Sequence, residues 1–306
     1  MNRRQMLQYG ASSVLAANAL SSVASAKETT AMAMPTNPKP LVQAKDGTDL
    51  YVQDWGRGRP VVFLAAWTFN SLTWGEYIAH FTEAGNRCLA MDRRGHGRSG
   101  APCTGYDVDT LADDVAALFE QRDLRDAILV AHSMGSIEAV RYLARHGTAR
   151  VKKLVLVAPT TPFLLKTDDN PDGVPQELVQ AQYGQIASDF PKWIADNEAP
   201  FFTPDTIAET RAWIKAMMLD VPLPIALSCR RTISQADTRQ DLAELNIPTL
   251  ILHGDRDASA PLPLTGAKTV KLLRDGQLKV YEGAPHALTL THRQRAIADI
   301  AKFIST

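Results

Sequence analysis

Ser133 stands at the junction of an apolar run and a helical pattern, where a serine can act as a nucleophile. The run at 128–131 (Ile-Leu-Val-Ala) leads almost directly into it, and the helical pattern starts at Ser136. A strand-to-helix turn this sharp needs small neighbours, and Ala131 and Gly135 supply them. The pattern predicts a hydroxyl that is raised above a sheet and can attack an acyl carbonyl. The alternative is an ordinary N-cap serine at the start of a helix.

A nucleophilic serine needs a histidine base and a carboxylate that orients this base. Two downstream loops offer them, each directly after an apolar run: Asp255 and Asp257 lie in the first loop, and His286 lies in the second. The order serine, acid, histidine is the one that hydrolases with a nucleophile elbow use. The spacing therefore predicts a triad of Ser133, His286 and one of the two aspartates, and it does not choose between Asp255 and Asp257.

A sheet whose strands end beneath these residues would have to position them. Near-continuous apolar runs are typical of strands buried on both faces, and here they alternate with amphipathic stretches. The alternation predicts an α/β fold with a mostly parallel, doubly wound sheet. The predicted strands are 50–54, 60–65, 87–91, 127–131, 153–158, 249–253 and 278–281, and the predicted helices are 108–121, 136–146 and 294–304.

The alternation of predicted strands and helices stops between 162 and 241, where no convincing apolar strand appears. Proline-punctuated helical stretches with aromatic and methionine residues predict an inserted helical cap over the carboxyl ends of the strands. Phe163, Trp193 and Trp213 are candidates for the wall of a substrate pocket beneath the cap, although large aromatic residues more often belong to a core.

The first residues do not belong to this fold. Arg3 and Arg4 precede a weakly apolar stretch at 11–23, and Ala24-Ser25-Ala26 offers a cleavage site. The pattern resembles a twin-arginine export signal, so we expect transport by the bacterial export machinery to the periplasm or the exterior. The alternatives are a short N-terminal helix or an uncleaved anchor. The predicted organisation is an export signal at 1–26, an extended lead-in at 27–40, a core at 41–161 and 242–306, and a cap at 162–241.

Composition argues against several classes of function. Of the 306 residues, 33 are Lys or Arg and 33 are Asp or Glu, so no net charge attracts nucleic acid or anionic lipid. Cys88, Cys103 and Cys229 are too few for a disulfide framework and too widely spaced for a zinc site. No metal-ligand spacing and no phosphate-cradling loop appears, so we expect neither a metal nor a cofactor. No segment after the leader is apolar over the ~20 residues of a membrane-spanning helix.

Longer motifs carry a resemblance to a known family. They are MDRRGHGRS at 91–99, GYDVDTLADD at 105–114, LKTDDNPDG at 165–173 and GAPH at 283–286. From about Leu41 to the C-terminus the chain resembles the α/β-hydrolase family, and within it the cofactor-free haloperoxidase, perhydrolase and arylesterase group. The resemblance implies the α/β-hydrolase fold and selects Asp257 as the acid of the triad. It also implies an oxyanion hole formed by the backbone N–H groups of Met134 and Trp67.

The chain departs from that pattern beside the implied oxyanion hole. Ala65-Ala66 replaces the family's His-Gly pair, and Thr68 stands where haloperoxidase-like members commonly have proline. Alanine resists backbone angles that glycine permits, and the imidazole that braces this loop is missing. We therefore expect a distorted oxyanion hole, which lowers turnover by ~10²–10³ if one donor is misaligned. Arg93, in the motif at 91–99, is interpreted as a brace of its own loop.

The sequence thus predicts a serine hydrolase that cleaves a small carboxylic ester or lactone through an acyl-enzyme. A second hypothesis is a cofactor-free perhydrolase or haloperoxidase, in which hydrogen peroxide replaces water at deacylation. A third, from another class, is a ligand-binding protein with weak residual hydrolysis, which the Ala65-Ala66 replacement favours and the complete triad opposes. Dehalogenase chemistry is disfavoured because it needs a carboxylate at the position of Ser133.

Overall fold

The computed structural model describes residues 41–305. The predicted export signal at 1–26 and the lead-in at 27–40 lie outside the described residues. Eight strands of the described part form one sheet: β1 (Leu41–Gln43), β2 (Asp49–Gly56), β3 (Pro60–Leu64), β4 (Arg87–Met91), β5 (Ala127–His132), β6 (Val151–Val157), β7 (Thr249–Gly254) and β8 (Gly276–Tyr281).

The order across the sheet is β1-β2-β4-β3-β5-β6-β7-β8. β2 pairs antiparallel with β1 and with β4, and all other neighbours are parallel. The predicted mostly parallel sheet is confirmed. β1 was not predicted, because three residues are too few to show a pattern.

Twelve α-helices lie within the described residues: α1 (Gly75–Glu83), α2 (Val108–Gln121), α3 (Met134–His146), α4 (Gln176–Ser188), α5 (Phe190–Asp196), α6 (Glu198–Phe201), α7 (Ala208–Asp220), α8 (Leu223–Gln235), α9 (Arg239–Glu244), α10 (Gly266–Leu272), α11 (Leu288–Thr291) and α12 (Arg293–Ser305). A 3-10 turn at Ser71–Trp74 precedes α1. No single helix in this part of the chain is long and apolar enough to cross a membrane; α7 and α8 meet the criteria of length and composition only as a pair bent by 97°.

Helices cover both faces of the sheet, which explains why β3 and the first five residues of β5 are apolar at every position. Val61 and Phe63 of β3 point to the face covered by α1 and α12, while Val62 and Leu64 point to the face covered by α2 and α3. Both sets are buried, as expected for a parallel sheet in a doubly wound fold. Residues of opposite faces alternate along one strand because successive side chains point to opposite sides.

The chain between β6 and β7 contains the helices α4–α9 and no strand of the sheet. Apolar side chains of α4–α8, among them Ile186, Phe190, Ile214 and Ile225, form one buried cluster that includes Phe69 from the loop after β3. These five helices therefore form a cap over the carboxyl edge of the sheet. The last helix of the segment, α9, packs beside α3 and α10 instead.

Candidate active site

Ser133 occupies a strained turn between β5 and α3. Its backbone adopts φ 52° and ψ −116°, in a region that side chains with a Cβ disfavour. The Ser133 N–H donates to the carbonyl of Val157 at 3.0 Å, which fixes the turn on the sheet. A Cβ at Gly135 would lie 2.8 Å from the carbonyl oxygen of Leu64, so only glycine fits there. The small residue noted in the sequence is thus needed for the close approach of α3 to β3.

His286 reaches Ser133 from the loop after β8. Its Nε2 lies 2.8 Å from the Ser133 Oγ, and its Nδ1 lies 2.7 Å from the Oδ2 of Asp257. All three residues are buried. The parallel strands β5, β7 and β8 end at the same edge of the sheet, and this common edge brings together residues that are far apart in the chain.

Asp257 is held by several donors at once. Its Oδ1 accepts the backbone N–H groups of Ser259 at 2.9 Å and Ala260 at 2.7 Å. Its Oδ2 lies 3.1 Å from the Nε2 of His253 as well as beside His286. The neighbouring Asp255 is exposed and accepts the N–H of Gly283 at 2.7 Å. Of the two aspartates that the spacing left open, Asp257 is therefore the one that touches His286.

The electrostatics of this edge keep Asp257 ionised and the nearby His132 neutral. Burial alone would raise the pKa of Asp257, but the imidazoles of His286 and His253 hold it well below its usual value. Burial and the nearby His286 lower the pKa of His132 to about 3. The Nε2 of neutral His132 lies 3.1 Å from the carbonyl oxygen of His286, where it can donate and steady the loop after β8.

The backbone N–H groups of Met134, which directly follows Ser133, and of Trp67, in the loop after β3, have no protein acceptor among residues 41–305. Met134 is the first residue of α3, so its N–H belongs to the unpaired first turn of a helix, whose dipole favours negative charge. Trp67 is fixed from the other side, because its Nε1 donates to the carbonyl of Ala226 on α8 at 2.9 Å.

The loop that carries Trp67 is braced by Arg93, which corrects two expectations. Arg93 does not brace its own loop: its Nη2 and Nη1 donate to the carbonyls of Ala65 and Ala66 at 2.7 and 3.1 Å. Its Nε donates to the buried carboxylate of Glu138 on α3. Neither alanine adopts a positive φ. The expected strain at Ala65-Ala66 is thus absent, and a guanidinium supplies the brace that the missing imidazole would have given.

A cavity of about 160 Å³ opens between the cap and the sheet edge, and both Ser133 and His286 lie on its wall. Its apolar wall includes Trp67, Phe69, Trp193, Phe201, Ile214 and Met218. Trp193 was predicted to lie there, and its ring meets that of Trp67 edge-on at 5.5 Å.

The structure corrects the other two pocket residues. Phe163 is buried away from the cavity, with the guanidinium of Arg239 5.0 Å from its ring, and Trp213 is 39% exposed on α7. Sequence reasoning missed Glu138 and the cavity residues Arg230 and Gln182. A signal existed for Glu138, because it interrupts the apolar face of a predicted helix.

Among residues 41–305, no group of three or more His, Cys, Asp or Glu side chains could hold a metal ion.

Known proteins share the sequence pattern and the fold of this chain. Residues 59–293 match the model of the family described as the alpha/beta hydrolase fold. The chain is 36% identical to a non-heme chloroperoxidase from Kitasatospora aureofaciens, over 87% of this chain and 99% of that protein. It is 34% identical to a bifunctional esterase/perhydrolase from Acinetobacter calcoaceticus, over 86% and 98%.

A solved structure shows the same likeness. An esterase from Exiguobacterium antarcticum superposes with a TM-score of 0.84 at 28% identity, and the match covers 87% of this chain and 99% of that one. The fold and the similarity to these relatives lead to the same family. The chain belongs to the α/β-hydrolase family, within its cofactor-free group of non-heme haloperoxidases and esterases.

Proposed function

We propose that this ester-hydrolysing enzyme cleaves small carboxylic esters or lactones through an acyl-enzyme on Ser133. The observation that carries the proposal is the continuous hydrogen-bonded chain from Ser133 Oγ through His286 to Asp257, at 2.8 and 2.7 Å. A nucleophile, a base and an orienting carboxylate are thus in direct hydrogen-bond contact.

In the first half of the reaction, the Ser133 Oγ attacks the acyl carbon while His286 Nε2 takes the hydroxyl proton. The carbonyl π electrons move to the oxygen, and the N–H groups of Trp67 and Met134 stabilise the resulting oxyanion. The tetrahedral intermediate then collapses: the ester C–O bond breaks, and His286 gives its proton to the leaving oxygen. Asp257 keeps the imidazole oriented and stabilises its charged form.

In the second half, His286 takes a proton from water, and the resulting nucleophile attacks the acyl carbon. The bond to Ser133 breaks, the proton returns to the Ser133 Oγ, and a carboxylic acid leaves. Hydrogen peroxide in place of water would give a peracid by the same proton transfers.

The perhydrolase reaction is the second candidate, because the relatives include a bifunctional esterase/perhydrolase and non-heme chloroperoxidases. One feature of this chain favours hydrolysis by water over the reaction with hydrogen peroxide. Thr68 adopts a φ of 60°, and proline, which is restricted to about −65°, cannot adopt that angle. The Thr68 hydroxyl also donates to the carbonyl of Trp67 at 2.6 Å. The loop beside the oxyanion donors is therefore shaped differently from one that carries proline there.

The test compares hydrolysis of p-nitrophenyl butyrate with peroxide-dependent bromination by the same preparation, using the wild type and Ser133→Ala. We expect ester hydrolysis that Ser133→Ala abolishes, together with bromination at a much lower rate. If Ser133→Ala kept both activities, this result would contradict Ser133 as the nucleophile. A rate of bromination above that of hydrolysis would favour the perhydrolase instead.

We also propose export by the twin-arginine pathway, on the strength of Arg3-Arg4 and the Ala24-Ser25-Ala26 site. Expression in a bacterium with this pathway, followed by fractionation, should place the protein in the periplasm or medium. An Arg3→Lys/Arg4→Lys variant should remain inside the cell. Equal distribution of the two proteins would contradict the proposal.

A further inference from the structure

Arg230 brings a positive charge to the cavity wall without a carboxylate to balance it. It lies on α8, and its Nε and Nη2 both donate to the Oε1 of Gln182, with Nε at 3.1 Å. Within the described residues, no aspartate or glutamate oxygen lies within 4.0 Å of this guanidinium, and its Nη1 donates to no protein acceptor. Gln182 lines the same cavity as Ser133, so its amide holds the guanidinium at that wall.

The other charged side chains of the cap wall are paired. Lys215 Nζ lies 2.8 Å from the Oε2 of Glu198, and Arg211 Nη1 lies 3.5 Å from the Oε1 of the same carboxylate. Burial with no acid to offset it lowers the pKa of Arg230 to about 10, so this side chain stays cationic at neutral pH. Among residues 41–305, Arg230 is therefore the charged side chain of the cap wall that has no ion-pair partner within 4.0 Å.

A guanidinium that is partly withdrawn from water is less favourable when no anion shares its charge. An uncharged acyl group would leave this cost in place, whereas a carboxylate would form a charge-assisted, fork-shaped pair with it. We propose that the natural substrate is an ester or lactone whose acyl part carries a free carboxylate, and that Arg230 binds this carboxylate during attack by Ser133. This inference rests on the proposed function, because it assigns the substrate of the same site.

The size and lining of the cavity agree with such a substrate. Its volume of about 160 Å³ resembles that of an apolar protein cavity of ~150 Å³ that holds one benzene molecule. A short methylene chain or one small ring would fit against Trp193 and Phe201. The ester carbonyl would then lie at Ser133 and the carboxylate at Arg230.

The test uses pairs of esters that differ only in the terminal carboxylate. The first pair is the p-nitrophenyl hemiester of adipic acid and p-nitrophenyl hexanoate, and the second is the hemiester of pimelic acid and p-nitrophenyl heptanoate. The readout is the preference ratio, which is kcat/KM for the hemiester divided by kcat/KM for the neutral ester. We expect the wild type to prefer the hemiester at least tenfold in one pair.

Three variants of residues on α8 test whether Arg230 causes the preference for the hemiester. Arg230→Gln should lower it by about 10- to 100-fold, the range expected for the loss of one hydrogen-bonded pair with a charged group. Arg230→Lys should give an intermediate ratio, because it keeps the charge and loses the fork. The matched control is Arg231→Gln, one residue along the same helix, where the exposed guanidinium lies against Tyr183. This control should keep the wild-type ratio.

A wild-type ratio near one in both pairs, or a wild-type ratio retained in Arg230→Gln, would overturn the proposal. If the wild type hydrolyses none of the four esters, the proposed function fails instead. A measurement without variants covers the case in which Arg230→Gln does not fold. Adipic acid monoamide should inhibit the wild type at least tenfold more strongly than hexanamide, and equal inhibition would contradict the carboxylate site.

Discussion

Arg93 and Arg230 both place a guanidinium close to the cavity, but the charges around them differ. Arg93, beneath the loop after β3, faces the carboxylate of Glu138 and two backbone carbonyls. Burial opposes its charge, yet Glu138 holds the pKa of Arg93 above its ordinary value. Arg230, in the cap, has the neutral amide of Gln182 as its one hydrogen-bond partner among the described residues, and burial lowers its pKa to about 10.

The difference separates the two halves of the site. At the sheet edge the buried Arg93 has its counter-charge in Glu138, and the buried Asp257 is held by two imidazoles and two backbone N–H groups. Such a region holds its geometry before a substrate arrives. In the cap, the guanidinium of Arg230 on the cavity wall has no carboxylate beside it among the described residues, and the substrate is proposed to supply one. The residues at the sheet edge thus carry out the reaction, and the cap selects the substrate.

The largest effects should come from the sheet edge. We expect His286→Ala to lower kcat on p-nitrophenyl butyrate by ~10⁶, and Asp257→Asn by ~10⁴, because the first removes the base and the second its orientation. Asp255→Asn is the matched control and should change kcat little, since this exposed carboxylate contacts Gly283 rather than His286. Similar losses from both aspartate variants would break the assignment of Asp257.

The next effect tests whether Arg93 is a brace as well as half of an ion pair. Arg93→Met leaves Glu138 buried without a partner, so we expect the free energy of unfolding to fall by ~3–5 kcal/mol in a urea titration. A double variant, Arg93→Met with Glu138→Leu, should regain most of this stability. Its kcat should stay about 10- to 100-fold low, because the carbonyls of Ala65 and Ala66 remain unbraced. Recovery of kcat together with stability would show that Arg93 serves stability alone.

The smallest effect concerns pH. Burial lowers the pKa of His96 and of His132 to about 3 each, whereas an unfolded histidine titrates near 6.5. The unfolded chain therefore binds more protons below pH 6.5, and stability is lost as the pH falls from about 6.5 towards 3. We expect roughly 1 kcal/mol per pH unit from each histidine in urea titrations between pH 7 and 5.

The control is His96→Gln, which should reduce that slope by about half. The hemiester preference should stay constant between pH 6 and 8, because Arg230 remains charged there. A slope that His96→Gln leaves unchanged, or a preference that disappears within this range, would contradict the comparison between the two regions.

The sheet edge was largely predictable from the sequence because its signals are local. The helix Val108–Gln121 and the strand Arg87–Met91 have the predicted bounds. The turn at Ser133 is encoded by an apolar run and small neighbours. The choice of Asp257 was not local: it came from the family resemblance, and the structure agrees by contact with His286.

The cap and the brace were not predictable because they depend on which distant residues meet. From the sequence, Arg93 is expected to contact the loop in which it lies. Only the fold shows that its guanidinium contacts Ala65 and Glu138. Trp213 and Trp193 look alike in the sequence, and only helix orientation puts one on the cavity wall and the other at the surface. The helix Gly75–Glu83 was also missed, although Tyr77 and its neighbours give it an apolar face.

The most direct test of the central claim is the stoichiometry of covalent modification at Ser133. Diethyl p-nitrophenyl phosphate transfers its phosphoryl group to an activated serine and stops there, so the count does not depend on the rate of deacylation. We predict release of one p-nitrophenolate per molecule of wild type, and none from folded Ser133→Ala. No stoichiometric release from folded wild type, or equal release from the variant, would contradict the account.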